Sequence, residues 1–370
     1  MQLWQNILLI STLLFTLACE KKKMMPGGGE TDELIAGPYS PLDYIFDIPD
    51  YMPTPVVPAE NPMTQEGVAL GRMLFYDPIF SADSTLSCAG CHDPRLAFTD
   101  GKAVSTGILG IEGKRSSMSL VNLAYNTRGF FWDGRSRSLE DQALIPIEDH
   151  TEMADTWENV EDKLRRHDEY PQLFRAAFAI ERKSELTRDL AVKAIAQFER
   201  TLISAQSRYD KVIWESDGFP TDSEQRGIAL FFIEDNQSME HPGCSHCHFN
   251  PLFTDNQFRN NGLDSVATLE DFEDKGLGGV NGNLFDNGKF RVPTLRNITL
   301  TAPYMHDGRF NTLEEVLDSY SRGGHGAPNE DANILPFTLT EQDKADLIAF
   351  MEMLTDTSFI NNSDFSNPFE

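Results

Sequence analysis

Positive charge is scarce in this chain of 370 residues: 31 Lys and Arg stand against 58 Asp and Glu, a formal charge of −27. That excludes nucleic acid as a partner, because gripping a phosphate backbone takes clustered cations, and no segregated basic stretch occurs. Cysteine is scarce as well. Of five cysteines, Cys88 and Cys91 lie in Cys-Ala-Gly-Cys-His and Cys244 and Cys247 in Cys-Ser-His-Cys-His. Only Cys19 remains, so no pair is left for a structural disulfide. No apolar run is long enough for a persuasive membrane span, since Leu3 to Ala18 is short and sits at the terminus. Strand signals are sparse, and 40% hydrophobic with 10% aromatic residues excludes bulk disorder.

What is present divides the chain. Residues 1–18 carry no charged side chain and end in small residues, as a secretion signal does. Thr-Leu-Ala-Cys resembles a loose bacterial lipobox, which would make Cys19 a lipidated anchor; simple cleavage leaving a free Cys19 is the alternative. Residues 19–62 are rich in Pro and Gly and read as a tether. Beyond them the pattern is helical. Leu190, Ala194, Ile195, Phe198 and Leu202 share one helix face behind Thr187, and Leu347, Ile348, Met351 and Leu354 share another behind Thr340. Thr221 with Glu224, Thr312 with Glu315 and Thr340 with Asp343 read as capping boxes. The expected class is mainly α, with two cytochrome c-like haem domains joined by long loops. The Cys-x-x-Cys-His motifs lie 244 − 88 = 156 residues apart, which places domains at 63–210 and 211–356, followed by a tail at 357–370.

Cys-x-x-Cys-His attaches haem c because two thiols one turn apart can form thioethers to the two vinyl groups, leaving the next imidazole to bind iron. A redox or zinc site is the competing reading for one such motif. Two motifs, each with its own His in an exported chain, favour two covalent haems held by Cys88, Cys91 and His92 and by Cys244, Cys247 and His248. His246 is read as a bystander. The opposite face of each iron decides its chemistry, and no His lies between His92 and Trp132.

With these motifs stand Phe131-Trp132-Asp133-Gly134-Arg135, Gln142 with Pro146 and Glu152, Val292 to Asn297, and Pro303-Tyr304-Met305-His306-Asp307-Gly308. Together they resemble the bacterial diheme cytochrome c peroxidase superfamily, in particular its MauG-like branch, over roughly Met63 to Asp356. The resemblance implies a periplasmic enzyme that reduces hydrogen peroxide at the N-terminal haem with electrons relayed through the C-terminal one. Trp132 matches the tryptophan between the haems, the alternative being a core Trp with a satisfied N–H. Glu152 matches the distal glutamate that takes and returns a proton, and Gln142 and Pro146 match distal-pocket positions. Relatives supply a His to the resting peroxidatic iron from a loop matching Thr106 to Gly113. No His occurs there, so an open first haem is expected, with His150 as the rival ligand.

On the second haem, the family's Met ligand is matched by Tyr320, as in the MauG-like branch; the alternative is a core Tyr, with His325 or Met305 as the next ligands. A phenolate favours the ferric state, whereas a Met thioether favours the ferrous one. Calcium is a further family feature, and its positions match Ser116, Thr301 and Pro303, with Ser116 replacing an Asn. The alternatives to a peroxidase are peroxide-dependent oxidative modification of a partner protein, or a diheme electron carrier. Partners expected are peroxide and a small electron donor such as a c-type cytochrome, or a protein substrate, with a basic face that answers the negative charge. A homodimer also accords with the resemblance.

Overall fold

The computed structural model describes residues 31–35, 37–233 and 242–370. The signal at 1–18 and the anchor at Cys19 lie outside the described residues. Among those described, eleven α-helices form: α1 Gln65–Tyr76, α2 Leu139–Glu148, α3 Trp157–Arg166, α4 Tyr170–Phe178, α5 Arg188–Arg200, α6 Arg208–Ile213, α7 Asp222–Phe232, α8 Leu277–Asn281, α9 Leu313–Ser321, α10 Glu341–Met353 and α11 Thr357–Ile360. Among the described residues the only strands are β1 Phe258–Arg259 and β2 Phe290–Arg291, paired antiparallel with Phe258 opposite Arg291. The mainly helical expectation therefore holds. All these elements belong to one unit, Glu33–Glu370. No described helix is long and apolar enough to cross a membrane.

Local signals set the helix starts. Thr221, Thr312 and Thr340 each accept from the backbone N–H three residues on, while Glu224, Glu315 and Asp343 reach back to the cap. Each capping box satisfies two helix-end donors that would otherwise lack partners. Thr187 differs from expectation: it sits at the N-cap of α5, but its side chain makes no capping bond. The Glu161 carboxylate of α3 takes the Arg188 N–H instead, at 2.7 Å.

Two helix pairs cross closely, and each crossing depends on one glycine. A Cβ on Gly71 of α1 would lie 1.9 Å from the Ala194 carbonyl of α5, and one on Gly227 of α7 would lie 1.9 Å from the Asp346 carbonyl of α10. Gly71 precedes Cys88 by the same interval that separates Gly227 from Cys244. One core gathers Leu70, Leu74, Val160, Leu164, Phe174 and Ile195 among α1, α3, α4 and α5. Another joins Phe231, Phe253, Leu317, Leu347 and Phe350 around α7, α9 and α10.

The segments at either end of this unit are docked. Residues 33–35 and 37–62, read from composition as part of a tether, lie along the folded body. Leu34 N donates to Glu181 O at 2.9 Å and Val56 N to Ala124 O at 2.8 Å, and Leu34, Met52 and Asn61 are buried. Isolated apolar anchors between prolines hold this extended chain without helical periodicity. At the other end Phe359 and Phe365 are buried in the core that holds Phe75, Phe98 and Phe198. The Arg296 guanidinium of the Val292–Asn297 motif is fully buried against Asp210, with Nη1 to Oδ2 at 2.7 Å and Nη2 to Oδ1 at 2.8 Å. Asn297 completes that staple by donating to Ser204 Oγ and accepting from Asp356 N.

Candidate functional site

Each Cys-x-x-Cys-His segment folds as one tight turn. His92 N donates to Cys88 O at 3.0 Å, and His248 N to Cys244 O at 3.0 Å. The imidazoles are then fixed from behind: His92 Nδ1 bonds Phe98 O at 2.8 Å and His248 Nδ1 bonds Phe253 O at 3.1 Å. A carbonyl can only accept, so Nδ1 carries the hydrogen and Nε2 is left as the metal-binding lone pair, the usual arrangement behind a ligating histidine. Burial holds both rings below their ordinary pKa, which favours the neutral, ligating form. This donor set fits a haem at each turn.

The first turn is met by a distal segment from α2. Pro146 lies inside that helix and has no N–H for the i−4 bond, and the helix ends soon after it. The following turn is held by Asp149, whose carbonyl accepts from Glu152 N at 3.0 Å, and by Met153 N donating to Pro146 O at 3.2 Å. Burial raises the Cys88 and Cys91 thiols, and the turn brings Glu152 near enough for its charge to add to both shifts. Its own carboxyl is pushed up to about 6, by burial first and by Asp149 second, with Arg135 acting in the opposite direction. A carboxyl in that range can hold or release a proton near neutral pH. Gln142 and Pro146 stand four residues apart on α2 and so share a face.

The Thr106 to Gly113 loop packs on the same turn, with Ile108 N donating to Glu152 O at 3.0 Å. A Cβ on Gly107 would fall 2.2 Å from Thr151 O, so the approach is as close as a backbone permits. His150 points outward, its side chain 77% exposed.

Trp132 joins segments far apart in the sequence. Its Nε1 donates to Ser116 O at 3.0 Å, and its carbonyl accepts from Arg291 N at 2.8 Å. The next residue, Asp133, is held by Arg115 at 2.6 Å and Arg135 at 3.2 Å. The same architecture recurs later in the chain. Phe130 bridges Ser136 as Tyr304 bridges Phe310, and Phe131 and Met305 both take positive φ, as do Gly134 and Gly308. Trp132 and His306 are therefore counterparts, as are α2 and α9. Counting on from Asp-Gly, Pro146 and Tyr320 hold the same place.

A cavity of about 260 Å³ is lined by Trp132, Cys244, Cys247, His248, Met305 and Tyr320, together with residues behind them. Asn261 Nδ2 donates to the Tyr320 hydroxyl at 3.3 Å. Burial raises the Tyr320 phenol above its ordinary value. His325, the rival to Tyr320, is exposed and its Nδ1 bonds Gly262 O at 2.8 Å. Ser116, Thr301 and Pro303 line the same cavity. The Ser116 hydroxyl donates to Met305 O at 3.0 Å. No cluster of three His, Cys, Asp or Glu side chains suited to a metal forms among the described residues, so a cation there would rest on neutral oxygens.

Sequence reasoning missed Asn261 and Arg291, which lie in no recognised motif, and the stacking of His306 on Phe290 at 3.7 Å between ring centres.

Fold and site together define a dihaem oxidoreductase of the peroxidase class. A family model described as di-haem cytochrome c peroxidase matches residues 65–217. The chain is 35% identical over 309 residues to the methylamine utilization protein MauG of Methylorubrum extorquens, covering 80% of each. It is 36% identical over 340 residues to the cytochrome-c peroxidase IdrP1 of Denitromonas iodatirespirans, covering 85% of this chain and 88% of that one. A solved MauG-like protein associated with microbial copper homeostasis superposes with a TM-score of 0.81 at 35% identity, covering 88% of this chain and all of the other. The chain belongs to the di-haem cytochrome c peroxidase family, and its cofactors are haems.

Proposed function

We propose that this chain is a periplasmic peroxidase in which residues 63–210 carry the peroxidatic haem c and residues 211–356 the electron-transfer haem c. Cys88 and Cys91, and Cys244 and Cys247, hold the two haems through thioethers, with His92 and His248 as the ligands behind the irons. When bound, the haems supply iron that takes peroxide at the first site and passes electrons from the second. The balance is one peroxide, two electrons and two protons to two waters.

Glu152 would take a proton from one peroxide oxygen and return it to the other as the O–O bond breaks, while Gln142 and Pro146 would shape the pocket around it. The observation that carries this reading is Glu152 itself, half-buried within electrostatic reach of Cys88 and Cys91, with its carboxyl pushed up to about 6. Trp132 splits the electron path between the halves into shorter hops, held by Ser116 and Arg291. Tyr320 ligates the second iron with Asn261 at its hydroxyl. Pro146, at the matching place in the first half, offers no ligand, and the Thr106 to Gly113 loop offers no His, so the first site stays open to peroxide. Calcium is held, on this reading, by oxygens of Ser116, Thr301 and Pro303.

Residues 1–18 direct export and Cys19 anchors the mature chain to a membrane. The electron donor is a small periplasmic protein such as a c-type cytochrome, with a basic face drawn to this acidic chain, and the enzyme works as a homodimer. Glu152→Gln tests the core of the proposal. Peroxide turnover is expected to fall about 10²–10⁴-fold, the usual contribution of a positioned acid–base group, with both haems retained. Unchanged turnover would remove Glu152 from the proton path, and a parent protein that consumes no peroxide would reduce the chain to an electron carrier.

A further inference from the structure

Three arginines line the cavity beside Cys244, Cys247 and His248. Two are matched by carboxylates: Arg296 by Asp210, and Arg259 by Asp255 and Asp331, each within 2.7 Å. Arg291 is not. It is 5% exposed, its Nη1 meets only the Asn256 side-chain oxygen at 3.1 Å, its Nη2 only the Met118 sulfur at 3.5 Å, and its Nε has no partner. Met118 and Asn256 also line the cavity, so the guanidinium head lies at its wall.

A buried, unmatched charge is destabilising, and buried charges in proteins are as a rule completed by a partner of opposite sign. Burial alone depresses this guanidinium, to about 10, and no charged neighbour counters it. A planar fork of N–H donors suits a carboxylate above other anions of its size.

We infer that Arg291 is a built anion site at the cavity wall, and that its occupant is a propionate carboxylate of the C-terminal haem. The inference rests on that haem being held by Cys244, Cys247 and His248. It gives Arg291 a positioning role: one side chain fixes the rim of the haem while its backbone N–H holds Trp132. The pairing also cancels a positive charge that would otherwise oppose removal of an electron from the indole.

The test compares the dihaem protein with its Arg291→Lys and Arg291→Met variants, after haem content has been counted by mass. A wild type lacking the second haem would refute the haem assignment itself, and only a two-haem wild type bears on Arg291. If the guanidinium is matched by a propionate, Arg291→Met leaves that carboxylate buried alone. Its unfolding midpoint then falls below wild type, with Arg291→Lys between the two. The second haem's midpoint potential, flat between about pH 6 and about pH 8 in wild type, becomes pH-dependent in Arg291→Met as the freed propionate titrates. Failure of Arg291→Met alone to retain the second haem would equally support a required cation. An Arg291→Met protein with both haems, an unfolding midpoint at or above wild type and an unchanged potential profile would overturn the inference. So would loss of the haem in both variants, which would mean that shape and not charge is needed. A wild-type midpoint that climbs with added acetate would show that the site takes a soluble anion, and would overturn the propionate assignment.

Discussion

Replacing Glu199 by Gln should make the protein more stable at alkaline pH while leaving its acid stability nearly unchanged. Glu199 lies on α5, 4% exposed, with its Oε2 unpartnered. The adjacent cation does not help it: Arg200 is engaged by Glu140, Nη1 to Oε1 at 2.8 Å and Nη2 to Oε2 at 2.9 Å. Glu140 also accepts from Asn61 at 2.7 Å. Glu199 is left as the odd carboxyl of the group, and burial pushes it up to about 8, with Arg200 offsetting part of the effect and Glu140 adding to it. The unfolded chain titrates near 4.5.

Below that value both states hold the proton and the group contributes nothing. Between there and about 8 only the native state keeps it, so stability falls as pH rises, and it levels off above. At 1.36 kcal/mol per pH unit the loss between about pH 5.5 and about pH 8 is about 3 kcal/mol. Gln has no proton to lose, so its advantage over Glu should grow by about that amount across the interval. Any cost of burying the amide is the same at both ends and cancels. Denaturant unfolding of the dihaem protein at the two pH values measures the difference. Parallel stability curves for the variant and the parent would refute the reasoning.

Other consequences are as direct. Peroxide consumption should rise with pH through about 6 as Glu152 ionises to accept a proton, and steady-state rates of Glu152→Gln should lose that limb. Gly71→Ala should cost about 1–3 kcal/mol in thermal or denaturant unfolding, because the Ala194 carbonyl is backbone and cannot swing aside. Tyr320→Phe should abolish the low-spin ferric spectrum of the second haem; an unchanged spectrum would return Tyr320 to a packing role. Association with a basic redox partner should slow as salt rises, and stopped-flow rates indifferent to ionic strength would count against charge-guided docking.

How far the sequence could be read depended on the range of each interaction. The capping boxes at Thr221, Thr312 and Thr340 were legible because donor and acceptor lie three residues apart. The cap of α5 was not, since the Arg188 N–H is taken by Glu161 from another helix. The two turns bearing His92 and His248 were legible as spaced donors, and Glu152 through its setting after Gln142 and Pro146. The docking of the segment that holds Leu34 and Met52 stayed hidden because these are lone apolar anchors among prolines, without a period to reveal them. Arg291 and Glu199 were invisible for a related reason. A charged letter looks alike whether solvated or buried, and only the fold shows which carboxylate each arginine has met.

The matched loops and helices of the two halves also bear on how such a chain could arise. Trp132 and His306 occupy one kind of position, and Pro146 and Tyr320 another, on backbones that turn alike. On the proposed assignment, the difference between a centre that reacts and a centre that conducts is confined to a few side chains standing on shared scaffolding. A duplicated single-haem ancestor would not have needed to invent a reactive pocket. Losing one ligand at a place where its twin kept one would have opened the iron, and selection could then have refined the carboxyl beside it.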